Sequence, residues 1–205
     1  WEQIAATCQN GGLVPFLDMA YQGFGKGIAE DGVAVKTFMA TGQNIFVSTS
    51  FSKSFSLYGE RVGALSVVCS STEECSRVLS QLKIVIRTNY SNPPTFGATV
   101  VATVLNTPAL RAMWEEELAG MRQRIKATRE QLVTKLQGAG VKGDLSYITA
   151  QMGMFSYSGL SVAQMQRLRS EFGVYGVDSG RICVAAINSR NIDAVVAALA
   201  QVMQG

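Results

Sequence analysis

The sequence contains no histidine. Its absence excludes Ser-His-Asp and Cys-His catalysis and any His-ligated zinc site built from this chain alone. Cysteine is also scarce, and no two of the four cysteines have the C-x-x-C spacing of a metal or redox motif: Cys8, Cys69, Cys75 and Cys183. We therefore expect no bound metal. We also expect reduced and mostly buried thiols, which are typical of a cytoplasmic protein.

Long apolar runs are missing as well. No stretch approaches the roughly 18 residues needed to span a bilayer, and no signal peptide is visible, so we expect no association with a membrane. The charge is balanced, with 18 basic and 15 acidic residues spread along the chain, which argues against a nucleic-acid partner. The chain opens at Trp1 within a helical pattern and not at a methionine, so we expect further sequence upstream.

The 205 residues are 47% hydrophobic and 16% charged, a composition typical of a globular protein. Apolar periodicity and capping signals predict helices over about residues 1–10, 28–41, 70–90, 95–105, 108–136, 161–172 and 192–203. Apolar runs rich in β-branched residues predict strands over about residues 13–17, 44–49, 62–69, 153–157, 174–177 and 181–186, with the first three of these buried.

This order of elements predicts two parts. Helices and strands alternate in the first part, which favours an α/β fold with a parallel sheet. The remainder predicts a smaller α+β unit, with the helix over about residues 108–136 as the connection.

Lys53 is the first candidate for chemistry. It follows a predicted strand and stands among Ser50, Ser52 and Ser54. Ligands of open α/β sheets bind beyond the carboxyl ends of the strands, and a desolvated lysine offers a neutral amine for bonding to a carbonyl carbon. Spacing alone leaves the alternative of a solvated surface lysine open.

Two further residues suit the same kind of site. Asp18 ends a predicted strand, where a carboxylate can pair with a cationic ring nitrogen, although an ordinary turn aspartate is equally compatible with the sequence. Arg61 could bind a phosphate, or could serve as a surface arginine. The glycines at 23, 25 and 27 lack the spacing of a phosphate-binding loop, and we interpret them as turn residues.

Three segments together resemble the aspartate and aromatic amino-acid aminotransferases, which are fold-type I enzymes dependent on pyridoxal phosphate (PLP). The segments are Asp18-Met19-Ala20-Tyr21-Gln22-Gly23-Phe24, Ser50-Phe51-Ser52-Lys53 and Leu57-Tyr58-Gly59-Glu60-Arg61-Val62-Gly63. Ser91-Asn92-Pro93-Pro94 and Ser179-Gly180-Arg181 extend the resemblance over essentially the whole chain. Pro94-Thr95-Phe96-Gly97 is more similar to the aromatic branch, because the aspartate enzymes usually carry histidine where Phe96 stands.

The resemblance implies a role for each matching residue. Lys53 would carry PLP covalently and later move a proton, Asp18 would pair with the ring nitrogen, and Tyr21 would bind the ring oxygen. The cofactor phosphate would be bound by Ser50, Ser52 and Arg61. The substrate would be held by Arg181 at its α-carboxylate and by Arg87 at a second carboxylate, the latter reaching into the neighbouring subunit of a homodimer.

The resemblance also implies an architecture and a reaction. Residues 1–115 would be the C-terminal part of the large PLP-binding domain with its mostly parallel sheet, and residues 116–205 the small C-terminal α+β domain. The enzyme would transfer an amino group between an aromatic amino acid or aspartate and 2-oxoglutarate.

Other functions stay open at this stage. The same fold supports β-elimination and decarboxylation with PLP. Family members are about twice as long as this chain, and their N-terminal half supplies an aromatic ring that stacks on PLP and further phosphate donors. A piece of this length could therefore be inactive alone, or could serve a purely structural or dimerisation role.

Overall fold

The computed structural model describes residues 1–204. They form two compact units. The first contains residues 1–23 and 27–118, and the second contains residues 24–26 and the chain from residue 119 onward. One helix runs through the position where the chain passes from the first unit to the second. The assignment of residues 1–115 and 116–205 to a large and a small domain of the family stays a prediction.

The first unit is built on a sheet of three strands in the order β1-β2-β3, namely β1 (Phe16–Met19), β2 (Ile45–Ser50) and β3 (Gly63–Val68). β1 and β2 are parallel, as the alternating helices and strands predicted, whereas β2 and β3 are antiparallel. The prediction of parallel pairing is therefore wrong for β3. Residues 51–62 contain only a short 3₁₀ turn, Tyr58–Glu60, and no crossover helix, so the chain simply reverses.

Two of the strands predicted for this unit need correction. β1 begins at Phe16 and not at Leu13, because Pro15 has no N–H for a ladder; its carbonyl still accepts from Phe46 N at 3.0 Å. β1 and β3 were also expected to be buried, but Phe16, Asp18 and the first four residues of β3 are exposed. Both strands pair only with β2 and form the two edges of the three-stranded sheet, which leaves those residues accessible.

Six helices belong wholly or partly to the first unit: α1 (Glu2–Asn10), α2 (Ile28–Asp31), α3 (Val33–Met39), α4 (Thr72–Asn89), α5 (Phe96–Asn106) and the beginning of α6 (Pro108–Gly138). The helix predicted over 28–41 is divided at Gly32 into α2 and α3. Ser71 caps α4 by accepting a hydrogen bond from Glu74 N. A small apolar core packs α1 and α3 on the sheet: Ala5, Phe38, Ile45 and Val47.

The second unit contains the rest of α6, then α7 (Ser146–Ala150), β4 (Phe155–Tyr157), α8 (Val162–Phe172), β5 (Arg181–Cys183), a 3₁₀ turn (Val184–Ala186) and α9 (Ile192–Gln204). β4 and β5 are antiparallel. The strand predicted over 174–177 is absent from the described residues. Gly173 ends α8 in the left-handed conformation, and Val174 N then donates to Leu168 O at 2.9 Å, so Val174 completes a helix cap.

The core of the second unit is larger and brings α6, α8 and α9 together. Its fully buried members include Leu132, Leu136, Met165, Leu168 and Val202. The cysteines depart from expectation: Cys8, Cys69 and Cys183 are only partly buried, and Cys75 is exposed. Within residues 1–204, no helix is both long enough and apolar enough to cross a membrane.

Arg129 on α6 is a buried cation in the second unit, with only 3% of its surface exposed. Its Nε donates to Ser156 Oγ at 3.0 Å, and its Nη2 donates to the carbonyls of Gly153 and Phe155 at 2.7 and 3.3 Å. Burial lowers the pKa of the Arg129 guanidinium. The guanidinium therefore joins α6 to the segment that enters β4.

Replacing Arg129 with leucine should remove these three hydrogen bonds and deprive the buried Ser156 hydroxyl of the donor from Nε. We expect the free energy of unfolding to fall by about 2–3 kcal/mol in urea denaturation of the whole protein. Arg167→Ala on α8 is the control, because its ion pair with Glu171 is exposed and contributes about 0.5 kcal/mol or less. Equal losses for the two variants would contradict a special role for Arg129.

Candidate functional site

The carboxyl ends of β1 and β2 define the candidate site. The two strands are parallel, with Asp18 directly opposite Ser48 and Met19 opposite Thr49, so both strands end at the same edge of the sheet. Tyr21 follows β1 and Lys53 follows β2. The sheet therefore brings together candidates that are more than 30 residues apart in the sequence, at the edge where α/β folds bind ligands.

Asp18 and Lys53 each have a defined neighbour at this edge. Ser48 Oγ donates to Asp18 Oδ1 at 3.0 Å, and Asp18 Oδ2 accepts no hydrogen bond from the described residues. Lys53 Nζ lies over the ring of Tyr21, 4.9 Å from its centroid. The edge thus holds a carboxylate oxygen that can still accept a hydrogen bond, and an amine beside a phenol.

The turn after β2 carries three of the predicted residues. Ser50 Oγ accepts from Ser52 N at 3.3 Å, and Ser52 is 6% exposed. The Ser52 hydroxyl makes no hydrogen bond to any described residue. The Ser50 and Ser52 hydroxyls and Lys53 therefore lie on one short turn at the end of the strand.

Arg61 lies at the same edge, because it comes shortly before β3 and the antiparallel β3 begins where β2 ends. Gly63, the first residue of β3, pairs with Ser50, the last residue of β2. A Cβ at Gly63 would lie 2.7 Å from Thr49 O, so this close approach requires glycine. Arg61 has a left-handed backbone with φ of 52°, and its Nη1 donates to Tyr58 O at 2.9 Å. Its remaining N–H groups have no partner among the described residues.

The other two predicted residues lie elsewhere. Arg87 occupies the last turn of α4, is exposed, and donates to the Ser91 hydroxyl. Arg181 belongs to the second unit, where it begins β5 and its guanidinium carbon lies 5.0 Å from the centroid of the Phe155 ring. The arrangement at the strand ends therefore contains six of the eight predicted residues, namely Asp18, Tyr21, Ser50, Ser52, Lys53 and Arg61.

Three residues that contact this edge were not predicted from the sequence. Ser48 orients Asp18, and Trp114 stacks on Phe55 in the turn that carries Lys53. Alternation along β2 could have indicated that Ser48 and Ser50 share a face. No local pattern links Trp114 to a turn 60 residues earlier.

The groups at the edge suit one type of ligand. An amine can bond a carbonyl carbon, a carboxylate can hold a protonated ring nitrogen, and a phenol can donate to a ring oxygen. Two hydroxyls and a guanidinium suit a phosphate. The arrangement therefore fits a phosphorylated aromatic aldehyde.

Comparison with known proteins gives consistent results. The family model for aminotransferases of class I and II matches residues 1–199. The chain is 58% identical over 203 residues to an aspartate aminotransferase of Pseudomonas aeruginosa, covering 99% of this chain and 51% of that protein. It is 52% identical to the aromatic-amino-acid aminotransferase of Escherichia coli, again covering 99% of this chain and 51% of the relative.

Solved structures show the same likeness. The aromatic-amino-acid aminotransferase from Burkholderia pseudomallei, whose crystal structure has pyridoxal phosphate covalently bound, superposes with a TM-score of 0.96 at 60% identity. The superposition covers 99% of this chain and 51% of that one. A mitochondrial aspartate aminotransferase from Trypanosoma brucei gives a TM-score of 0.95 at 40% identity. The chain spans about half the length of the relatives it matches.

Proposed function

The chain belongs to the family of class I and II aminotransferases, and we propose that the whole protein catalyses PLP-dependent transamination. The donor would be an aromatic amino acid or aspartate, and the acceptor 2-oxoglutarate. The observation that carries the proposal is the shared edge of β1 and β2, where Lys53, Asp18 and Tyr21 meet. The relatives named for aspartate and aromatic substrates support the choice of donors.

The residues at the edge fit PLP group by group. Lys53 would hold the aldehyde carbon, Asp18 Oδ2 the ring nitrogen, and Tyr21 the ring oxygen. Ser50, Ser52 and Arg61 would hold the phosphate. The Ser52 hydroxyl and the remaining N–H groups of Arg61 make no hydrogen bonds to other described residues, so they are available to donate to it. When bound, PLP withdraws electrons from the α-carbon of the substrate.

The chain's own residues would do the rest. Asp18, oriented by Ser48, keeps the ring nitrogen protonated. Lys53 Nζ, freed when the substrate's amino group replaces it on the cofactor carbon, would take the proton from the substrate's Cα and deliver it to that cofactor carbon. This role requires a neutral amine within reach of both carbons. Arg181 holds the α-carboxylate through the paired N–H groups of its guanidinium, a geometry that lysine cannot offer.

We propose that the protein acts in the cytoplasm as a homodimer, with Arg87 of one subunit serving the site of the other. Arg87 is exposed at the end of α4, a position compatible with contact to a second chain. Asp18, Tyr21 and Arg61 are exposed in the described chain. Their exposure supports the expectation that further parts of the protein complete the site, including an aromatic ring that stacks on PLP.

Lys53→Ala should abolish both the visible absorption of bound PLP and turnover in the whole protein, because no other residue at the edge provides an amine. Absorption spectroscopy and a transaminase assay measure the two effects. Lys36→Ala on α3 is the matched control and should leave both unchanged. A Lys53→Ala protein that kept its visible band and its turnover would contradict the assignment of Lys53 as the residue that bonds PLP.

Asp18→Asn should lower kcat by roughly 100- to 1,000-fold, since an amide keeps the shape of the side chain but cannot balance a cationic ring nitrogen. Steady-state kinetics on PLP-loaded protein measure this loss, and Asp193→Asn on α9 is the control. Ser48→Ala should cost much less, because it removes only the hydrogen bond that orients Asp18. Asp18→Asn with the kcat of the parent would refute the pairing with the ring nitrogen.

Arg87→Leu should raise KM for aspartate and 2-oxoglutarate by roughly 10- to 100-fold while leaving KM for phenylalanine within about twofold, since only dicarboxylates present a second carboxylate. Arg77→Leu, also exposed on α4, is the control. An equal rise for phenylalanine would show that Arg87 does not read the second carboxylate.

Two rival functions give different outcomes. A β-eliminating or decarboxylating enzyme would not pass a labelled amino group from donor to 2-oxoglutarate, so product analysis separates these reactions from transamination. A purely structural role for the 205-residue piece would leave it without an absorption band during titration with PLP. That result would not affect the proposal for the whole protein.

A further inference from the structure

The turn that carries Lys53 is weakly held by its own hydrogen bonds. Phe55 N donates to Phe51 O at 3.2 Å, Ser56 N to Lys53 O at 3.3 Å, and Ser52 N to Ser50 Oγ at 3.3 Å, all at the long end of the usual range. Ser56 ends the turn in the left-handed conformation, with φ of 54°. A turn of this kind needs support from outside to keep one shape.

Trp114 on α6 supplies such support. Its Nε1 donates to the carbonyl of Ser54, the residue after Lys53, at 2.7 Å. Among the described residues, this is the one side-chain hydrogen bond that reaches the turn from another element. It is also much shorter than the bonds within the turn.

Aromatic packing reinforces this hydrogen bond. The indole of Trp114 stacks on the ring of Phe55, with centroids 4.7 Å apart and planes inclined by 20°. Phe55 in turn meets Phe51 edge to face at 5.6 Å. Phe51 stands two residues before Lys53 and Phe55 two residues after it. Both ends of the turn that carries Lys53 therefore belong to one aromatic cluster with Trp114.

We propose that Trp114 is a positioning residue for Lys53, an inference that rests on the proposed function of Lys53. Its indole fixes the backbone from which the long lysine side chain extends, and thereby fixes where Nζ can meet the substrate's Cα. Lysine has a flexible four-carbon stem, so the position of its amine depends strongly on the backbone beneath it. A displacement of about 1 Å at a reacting group can cost about 100-fold in rate.

Trp114→Phe in the PLP-loaded whole protein isolates the hydrogen bond, because phenylalanine can still stack on Phe55 but has no N–H. We expect kcat to fall by roughly tenfold, with KM for the amino donor changed by less than about twofold, since substrate carboxylates do not contact this residue. The visible band of bound PLP should persist. Its pH midpoint should rise, because a looser turn admits water, which favours the charged form of the nitrogen that joins Lys53 to PLP.

Trp1→Phe is the matched control, since Trp1 is 58% exposed, precedes α1 in the same unit and makes no side-chain hydrogen bond to any described residue. A Trp114→Phe protein with the kcat and the pH midpoint of this control would overturn the proposal. A fall in thermal stability with neither kinetic nor spectral change would overturn it equally, because support of the fold alone predicts that pattern.

Phe55→Leu keeps the proposal testable if Trp114→Phe does not fold. This variant leaves the indole N–H in place and removes the ring on which it stacks, so the same fall in kcat and rise in pH midpoint are expected. Parent-like values for Phe55→Leu in that case would overturn the proposal. Failure of the proposed function is distinguishable, because the parent protein itself would then show no visible band with PLP.

Discussion

Parallel pairing of β1 with β2 is the constraint on which the candidate site depends. The register places Asp18 opposite Ser48, and a shift by one residue would turn the Asp18 side chain to the opposite face of the sheet. The Ser48–Asp18 hydrogen bond then fixes one carboxylate oxygen and leaves the other available. Because both strands end at one edge, Tyr21 and Lys53, which follow them, come into contact there.

The antiparallel return of β3 adds the phosphate-binding side of the proposed site. Gly63 lets the backbone approach Thr49 O closely, and this approach pairs the beginning of β3 with the end of β2. Arg61 therefore stands two residues before Gly63, at the end of the sheet that carries the Lys53 turn. Trp114 on α6 contacts that turn through its hydrogen bond to Ser54 O and its stacking on Phe55. Strand pairing therefore determines where the candidate residues lie, and the contacts of Trp114 stabilise the turn that carries Lys53.

Local signals in the sequence predicted much of this arrangement. The Ser71 and Ser161 caps and the apolar periodicity located α4 and α8 within about two residues. Lys53, Asp18 and Arg61 were singled out from strand ends and residue chemistry, and only their combination into family motifs favoured a shared site over three unrelated surface residues.

The failures have a common physical cause, which is dependence on contacts between distant parts of the chain. The direction of β3 depends on whether a crossover helix intervenes, and Val174 is drawn into the cap of α8 although its neighbours have strand propensity. Trp114 has no signal in its own surroundings, since its partner lies 60 residues away. Buried polar contacts such as those of Arg129 are likewise defined only when the units have folded.

The central claim is that Lys53 is the residue that bonds PLP. Treating the PLP-loaded whole protein with borohydride makes a carbon–nitrogen bond between cofactor and lysine irreversible, and mass spectrometry of the digested protein then locates the modified residue. We predict the pyridoxyl group on the peptide that contains Lys53, in an amount that matches the bound cofactor. Modification of another lysine, or of none, would contradict the account.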